Sequence, residues 1–471
     1  MITSLPMRTE HDLIGHCFVP VEAYYGIHTL RAVENFPISR RRLSDAPDLV
    51  CALAAIKEAA ARANSDLNIL GREQAEAIIQ ACQEIRSGAL LDQFVVDLIQ
   101  GGAGTSTNMN ANEVIANRAL EILGHRRGDY AHLHPNEHVN LSQSTNDVYP
   151  TALKLACLAG IARLLSAMAG LRMAFADKAS EFADVLKMGR TQLQDAVPMT
   201  LGQEFGTYAV MLLEDEARLS EAALLIREIN LGATAIGTGI TAHPDYATKV
   251  REHLSVIIGI DLITAPNLVE ATQDCGAFVQ LSGVLKRVAV KLSKVCNDLR
   301  LLSSGPRAGF GEINLPARQA GSSIMPGKVN PVVPEVVNQV AFEVIGNDVT
   351  VTMAAEAGQL QLNAFEPIIF YSLDNSIRHL TEACRTLEEN CVRGITANRD
   401  RLRDNVEQSI GLITALNPYI GYSNATEVAL EAHRSGRGVY EIVLERGLMA
   451  KETLDTVLRP EMLTRPQQIL A

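Results

Sequence analysis

An uninterrupted apolar stripe in the second half of the chain constrains the fold more than any other feature. Between residues 278 and 299, apolar side chains recur at alternating spacings of three and four, and a second stripe on this grid covers 158–182. An apolar repeat averaging about 3.5 residues is typical of a helix that packs lengthwise against other helices. Similar helical patterns occupy about 199–229, 334–357 and 367–395. Five long helices predict a mainly α protein with a central helical bundle.

Length and composition agree with this prediction. A chain of 471 residues is too long for one compact core. Only 4% of it is aromatic and it has no Trp, which favours helix packing over a β sandwich. We expect an N-terminal domain at 1–145, a central helical-bundle domain at 146–400 and a small helical C-terminal domain at 401–471.

Some helix faces carry apolar residues beyond a single packing seam, and one such face lies within 337–351. This excess predicts a homo-oligomer held together by bundle packing. The formal net charge of −12 argues against a nucleic-acid partner, because binding nucleic acid requires a basic face.

The sequence also predicts a soluble, cytoplasmic protein. The N-terminus lacks the continuous apolar core of a signal peptide, and the apolar stretch 151–170 contains Lys154 and Arg163, so we expect no membrane span. The eight cysteines are scattered without a CxxC pair, the pattern of reduced thiols in the cytosol.

Four polar or glycine-rich segments interrupt the helical pattern. They are 101-GGAGTSTNMNANE-113, 142-SQSTNDVYP-150, 189-GRTQLQDAVP-198 and 321-GSSIMPGKVNP-331. Ser, Thr and Asn before a helix are often only N-caps. These segments hold more hydroxyl and amide groups than capping requires, and such groups, together with helix N-termini, donate hydrogen bonds to anions.

This composition suits a small dicarboxylate, with no metal or nucleotide required. The chain has neither a Walker A sequence nor HExxH. Three histidines in 132–138 could suggest a metal, but no matching Cys or carboxylate set accompanies them in the sequence. We therefore predict no metal ligands and no cofactor.

The segment 321–331, called the lid loop below, is the most specific of the four. Gly321 and Gly327 permit close backbone approach or movement. Ser322 and Ser323 supply hydroxyls, and the charge of Lys328 favours ionisation of a neighbouring hydroxyl.

The lid loop resembles the hallmark loop of the aspartase/fumarase superfamily, and the other three segments resemble its remaining site segments in the same order. The resemblance covers essentially the whole chain. It implies a homotetramer of three-domain subunits, in which each active site draws segments from three subunits. The stretches YYGIHTLRAVENF, PVVPEVVNQV, GQLQLNAFEP and LNPYIGY resemble the aspartase branch, which implies deamination of L-aspartate to fumarate.

The resemblance also implies a role for each site residue. Ser322 would be the base that removes a proton from substrate. The residues implied around the β-carboxylate are Thr105, Ser144, Thr145 and Ser323. Those implied at the α-carboxylate are Lys328, Asn330 and Thr191, and those near the amino group are Asn146 and Gln192. Glu335 would have a supporting role.

Several alternatives stay open at this stage. Many superfamily members have His where this chain has Gln192, so a histidine general acid is unavailable there. Fumarate hydratase on the same fold is the closest rival, and a non-catalytic helical scaffold is a rival of another class. Activation by Mg²⁺, as in some aspartases, is neither indicated nor excluded by the residues.

Overall fold

The computed structural model describes residues 6–466, so the outer ends of the predicted first and last domains lie outside the described residues. The helices are α1 (Ile27–Asn35), α2 (Pro47–Asp66), α3 (Arg72–Arg86), α4 (Thr105–Ile122), α5 (Thr145–Glu181), α6 (Leu201–Leu225), α7 (Tyr246–Ile258), α8 (Leu268–Ala271), α9 (Gly276–Leu302), α10 (Val332–Glu356), α11 (Glu366–Asn390), α12 (Arg399–Gln408), α13 (Ile413–Ile420), α14 (Tyr422–Ser435), α15 (Val439–Glu445), α16 (Lys451–Val457) and α17 (Pro460–Leu463).

The strands are few and short. They are β1 (Met7–Asp12), β2 (Gly15–Pro20), β3 (Leu186–Thr191), β4 (Gln194–Thr200), β5 (Glu228–Ile229), β6 (Ile263–Thr264), β7 (Ile313–Asn314) and β8 (Thr396–Ala397). Within residues 6–466 they form four two-stranded pairs, of which only β5–β6 is parallel. The mainly α prediction is confirmed.

The five predicted long helices are α5, α6, α9, α10 and α11, and their observed ends lie close to the predicted ones except at α5, which begins well before its stripe. Their apolar stripes are buried, as Leu281, Leu285 and Leu299 show on α9. The local repeat of about 3.5 residues was sufficient to predict these helices, because side chains with this spacing lie on one face only when the chain is helical.

The chain divides into two compact units. Of the described residues, the first unit contains 6–165, 217–287 and 342–380, and the second contains 166–216, 288–341 and 381–466. The three domains predicted from the sequence (1–145, 146–400 and 401–471) stay a prediction.

Helix α2 forms the centre of much of the first unit, where it packs against α3, α4 and α7. Pro47 at its first turn has the fixed φ that begins a helix. Its alanines, among them Ala54, Ala59 and Ala60, are buried and allow neighbouring helices to approach closely. The hairpin β1–β2 and helix α1 complete the N-terminal part of this unit.

In the second unit, helices α12 to α16 enclose an apolar core that includes Leu416, Val428 and Ile442. The antiparallel hairpin β3–β4 contacts this region through α12, which packs on β3.

Helix α5 is long and apolar enough to cross a membrane by length and composition alone. The protein itself buries 67% of its most apolar 18-residue window, including Leu153, Leu164 and Met168. We therefore interpret α5 as a core helix of the bundle.

Candidate active site

Thr105 lies at the first position of α4, directly after an unusual turn. Gly102, Ala103 and Gly104 have φ angles of 87°, 55° and 86°, all in the left-handed region. A Cβ on Gly104 would lie 2.4 Å from the ring of Tyr149, so this position accepts only glycine. The turn places the half-buried Thr105 at the N-terminus of an 18-residue helix, where anions are favoured.

Ser144 caps helix α5. Its Oγ accepts a hydrogen bond from the Asn146 N–H at 3.2 Å, and its own N–H donates to Asp147 Oδ1 at 2.9 Å. Ser144 Oγ thus bonds the N–H of the second helical residue, and the Asp147 carboxylate bonds the N–H of the cap, so the simpler N-cap interpretation holds for Ser144. Because Ser144 Oγ accepts in the cap, its hydroxyl hydrogen stays available to an anion.

Asp147 ties the start of α5 to a loop that the sequence analysis overlooked. Its buried Oδ2 accepts from the N–H groups of Gly232 at 3.0 Å and Thr234 at 2.9 Å. Burial raises the pKa of Asp147 to about 6, and the three backbone donors oppose that rise. The Gly and Thr density of 232-GATAIGTG-239 is a signal that could have identified this loop.

Asn146 is held by the same loop. Its Nδ2 donates to the Ala235 carbonyl at 2.7 Å, and its backbone carbonyl accepts from Asn230 Nδ2 at 3.0 Å. The first contact fixes the orientation of the Asn146 side-chain amide, and the second holds its backbone.

Thr191 and Gln192 lie at the tip of the β3–β4 hairpin. Thr191 pairs with Gln194, and the two intervening residues, Gln192 and Leu193, have φ angles of 53° and 62°. Two successive left-handed residues match a type I′ turn, whose twist suits an antiparallel hairpin. All four side chains are exposed, and nothing in the second unit buries them.

Arg190, just before the tip, does not add free positive charge to it. Its Nη1 donates to Glu312 Oε1 at 2.5 Å, and Lys187 lies 2.8 Å from the other oxygen of the same buried carboxylate. Arg190 therefore anchors β3 beneath the hairpin tip.

The lid loop is exposed and closed at its base. The Gly321 N–H donates to the Lys328 carbonyl at 2.8 Å, and Asn330 Nδ2 donates to the Gly321 carbonyl at 2.8 Å. Within the loop, Ser322 Oγ accepts from the N–H groups of Ile324 at 3.2 Å and Met325 at 2.8 Å. Two donors on one hydroxyl oxygen stabilise negative charge on it.

The remaining lid residues are placed around this turn. Ser323 and Lys328 are exposed, and Glu335 lies half-buried in the first turn of α10, one turn beyond the loop. The predicted site residues thus form two groups. The first unit holds Thr105, Ser144, Thr145 and Asn146; the second holds Thr191, Gln192, Ser322, Ser323, Lys328, Asn330 and Glu335.

One group of residues with metal-ligand chemistry occurs in the described part of the chain. Ligand atoms of His125, Asp129 and His132 lie within 4.8 Å of one another. The two imidazole rings stack at 3.8 Å with an interplanar angle of 11°. A ring nitrogen binds a metal in the plane of its ring, so two stacked rings do not converge on one ion without reorientation. We assign no ion to this group.

The chain matches two protein families over most of its length. The family described as Lyase matches residues 15–346, and the family described as Fumarase C C-terminus matches residues 412–465.

Its relatives include three bacterial enzymes named aspartate ammonia-lyase. The one from Pseudomonas fluorescens is 59% identical over 470 residues, which is 100% of this chain and 98% of that protein. The one from Pseudomonas aeruginosa is 60% identical and covers 98% of each chain. The one from Escherichia coli is 54% identical and covers 98% of this chain and 96% of its own.

Two solved structures share the fold. A fumarate lyase:delta crystallin from Brucella melitensis, bound to cobalt, is 57% identical with a TM-score of 0.96 and covers 98% of this chain and 100% of its own. A class II fumarase from Schistosoma mansoni is 35% identical with a TM-score of 0.93, at the same coverage.

Proposed function

The chain belongs to the lyase family of the aspartase/fumarase superfamily, and on that premise we propose that it is an aspartate ammonia-lyase, which converts L-aspartate into fumarate and ammonia. The observation that carries the proposal is full-length identity of 54–60% to aspartate ammonia-lyases, against 35% to a fumarase of the same fold. The protein is a carbon-nitrogen lyase.

The reaction sets two requirements. A proton on the carbon beside the β-carboxylate is weakly acidic, and its removal places a second negative charge on that carboxylate, giving an enediolate. The enzyme must supply a strong base at that carbon and hydrogen-bond donors around the β-carboxylate. Removal of one well-placed donor typically costs about 2.7–4 kcal/mol, so several donors account for a large effect on rate.

In our proposal Ser322 is the base. An ordinary serine hydroxyl is far too weak an acid to serve as an alkoxide at neutral pH. The N–H groups of Ile324 and Met325, which already point at Ser322 Oγ, support that role because they stabilise the alkoxide. Closure of the exposed lid loop over substrate would exclude water and strengthen both hydrogen bonds.

We assign the other groups from the resemblance to the superfamily. Hydroxyls on the β-carboxylate would come from Thr105, Ser144, Thr145 and Ser323. Lys328, Asn330 and Thr191 would bind the α-carboxylate, and Asn330 keeps a second amide hydrogen beyond the one donated to Gly321. Asn146 and Gln192 would lie near the amine. Gln192 cannot transfer a proton, so the amine would depart either without a proton donor at this position or with a proton from water. Glu335 would support the lid from the first turn of α10.

The proposed assembly is a homotetramer in which three subunits contribute to each active site. Two features favour it: the site residues fall into two groups, and apolar side chains are exposed along the long helices. The exposed apolar residues of α10 include Val336, Phe342, Val349 and Met353. Burying such a face against a second copy removes apolar surface from water.

We propose that the chemistry requires no cofactor, because donors and a base suffice for it. Mg²⁺ would act only as an activator. A cytoplasmic location is supported by the thiols: each of the eight cysteines is free, and six of them are buried.

The test uses ultraviolet absorbance of fumarate with the purified protein. L-aspartate should give a rise in absorbance, and L-malate in a parallel cuvette should give none. A rise with malate alone would make the protein a fumarate hydratase on the same fold. Silence in both would favour a non-catalytic scaffold.

A further inference from the structure

A fully buried lysine, Lys57, lies against the residues that lead into α5. The side chain of Lys57, on α2, is 0% exposed, and its Nζ donates to Asn140 Oδ1 and Gln143 Oε1, each at 2.9 Å. Both acceptors are uncharged amides. Burial lowers the pKa of Lys57 to about 7, and the charge of Asp147 opposes that shift. A cation buried against neutral partners is costly, which suggests a functional reason for it.

The ammonium fixes the orientation of the amides around it, because it can only donate hydrogen bonds. Asn140 must turn Oδ1 toward Lys57. The same oxygen also accepts from Asn108 Nδ2 at 3.1 Å and from Asn112 Nδ2 at 3.2 Å. On its other side, Asn140 Nδ2 donates to the Gln143 carbonyl at 3.2 Å. These contacts leave one orientation for Asn140, and therefore one for Asn108.

Asn108 transmits this orientation to Thr145. Its Nδ2 donates to Thr145 Oγ1 at 3.1 Å as well as to Asn140. The Thr145 hydroxyl therefore accepts here and keeps its hydrogen for another acceptor. A reversed Asn108 amide would face Asn140 oxygen to oxygen and would take the Thr145 hydrogen. The observed orientation has a cost, since Asn108 Oδ1 is buried without a hydrogen-bond partner among the described protein groups.

We propose that Lys57 is a positioning residue: its buried ammonium orients Asn140 and Asn108 so that Thr145 directs its hydroxyl hydrogen to the β-carboxylate of the substrate. The inference rests on the proposed function, since Thr145 needs a carboxylate to donate to. Lys57 itself does not contact substrate in this account.

The first experiment compares two substitutions of buried lysines in the full-length protein. Lys57→Met keeps the side-chain length and removes the donors. Lys154→Met is the matched control, because Lys154 is also buried in the first unit but donates to the Glu228 carbonyl, away from the chain of amides. We expect kcat for L-aspartate to fall about tenfold or more in Lys57→Met, with a smaller change in KM, because the extra carboxylate charge exists only in the transition state.

The control separates positioning from general destabilisation. Lys154→Met should lose melting temperature to a similar extent and keep its kcat. If folded Lys57→Met keeps the wild-type kcat, or if both variants lose activity only in proportion to their unfolding, the proposal is wrong.

A double-mutant cycle tests whether Lys57 acts through Thr145. Thr145→Val is nearly isosteric and removes the hydroxyl. Adding Lys57→Met to Thr145→Val should cost less than about threefold in kcat, because coupled residues are not additive. Additive losses would show that Lys57 acts by another route and would overturn the proposal.

Asn108 offers a second approach in case Lys57→Met does not fold. Asn108→Asp keeps the shape but presents only oxygens, so it takes the Thr145 hydrogen. Asn108→Leu removes the bond and leaves that hydrogen available. We expect Asn108→Asp to be the slower enzyme, and the reverse order would overturn the proposal.

The wild-type protein keeps the two proposals distinguishable. If the wild type turns over L-aspartate and the Lys57 and Asn108 variants are as active as the wild type, the proposed function stands and only the proposed role of Lys57 is wrong. No turnover of L-aspartate by the wild type removes the proposed function, and the role of Lys57 falls with it.

Discussion

Ser322 and Met325 are joined by a hydrogen bond of 2.8 Å, in which the backbone N–H of Met325 donates to Ser322 Oγ. A second N–H, from Ile324, reaches the same oxygen at 3.2 Å. Such bonds also occur in ordinary serine turns. What distinguishes a base from a turn residue is therefore the effect of removing the hydroxyl.

Ser322→Ala should lower kcat by roughly 10²–10⁴-fold or more, the usual contribution of a positioned base. The melting temperature should change little, because the loop is exposed. The matched control is Ser435→Ala, since Ser435 Oγ accepts from the Arg437 N–H in a similar turn on the C-terminal helices. That control should keep full activity. An active Ser322→Ala enzyme would remove the assignment of the base.

Gly321→Ala should disturb the place where the two ends of the lid loop meet. A Cβ at this position would lie 2.7 Å from the Lys328 carbonyl oxygen and 2.9 Å from the Asn330 nitrogen, so the backbone must shift. We expect kcat/KM to fall about tenfold or more, because displacement of positioning groups by about 1 Å can cost on the order of 100-fold. Gly438→Ala, whose added Cβ meets its nearest neighbour at 3.9 Å, should leave kcat/KM unchanged. Equal values of kcat/KM for the two variants would contradict a role for the hydrogen bonds that join the two ends of the lid loop.

Gly104→Ala should destabilise the first unit. The residue has φ of 86°, and its added Cβ would lie 2.4 Å from the Tyr149 ring. Gly124→Ala has φ of 83° with nothing within 4 Å of the added Cβ, so it carries backbone strain alone. Strain of this kind costs roughly 1–3 kcal/mol, and Gly104→Ala should cost more than that control in urea unfolding. Equal losses would mean that the ring moves away freely.

Glu366→Gln should change how stability depends on pH. Burial raises the pKa of Glu366 to about 8, and the charge of Lys154 opposes the rise. A carboxyl with a raised pKa binds more protons in the folded than in the unfolded chain, so its contribution to stability falls as pH rises from about 4.5 to about 8. The melting temperature of Glu366→Gln relative to wild type should therefore increase between pH 5 and about pH 8.5. A difference that stays flat with pH would show that the pKa of Glu366 is not raised.

The sequence predicted the long helices and the chemical segments because both are local signals. The stripe containing Leu281 and Leu285 specifies α9 without reference to the rest of the chain. The lid loop is equally local, since the contacts that close it join residues no more than nine positions apart.

The supporting residues were missed because their partners are distant in sequence. Lys57 looks like one charge on an amphipathic helix until the fold brings Asn140, 83 positions later, to its Nζ. Arg190, near the hairpin tip, likewise has its partner far away in the sequence, because Glu312, 122 positions later, neutralises it. No periodicity or short motif encodes such pairs.

The most direct test of the account is a stoichiometry measurement on the full-length protein supplied with L-aspartate. Fumarate and ammonia should appear in equal amounts with the wild type, and neither should appear above background with Ser322→Ala. Ammonia without fumarate, or no release of either product by the wild type, would contradict the account.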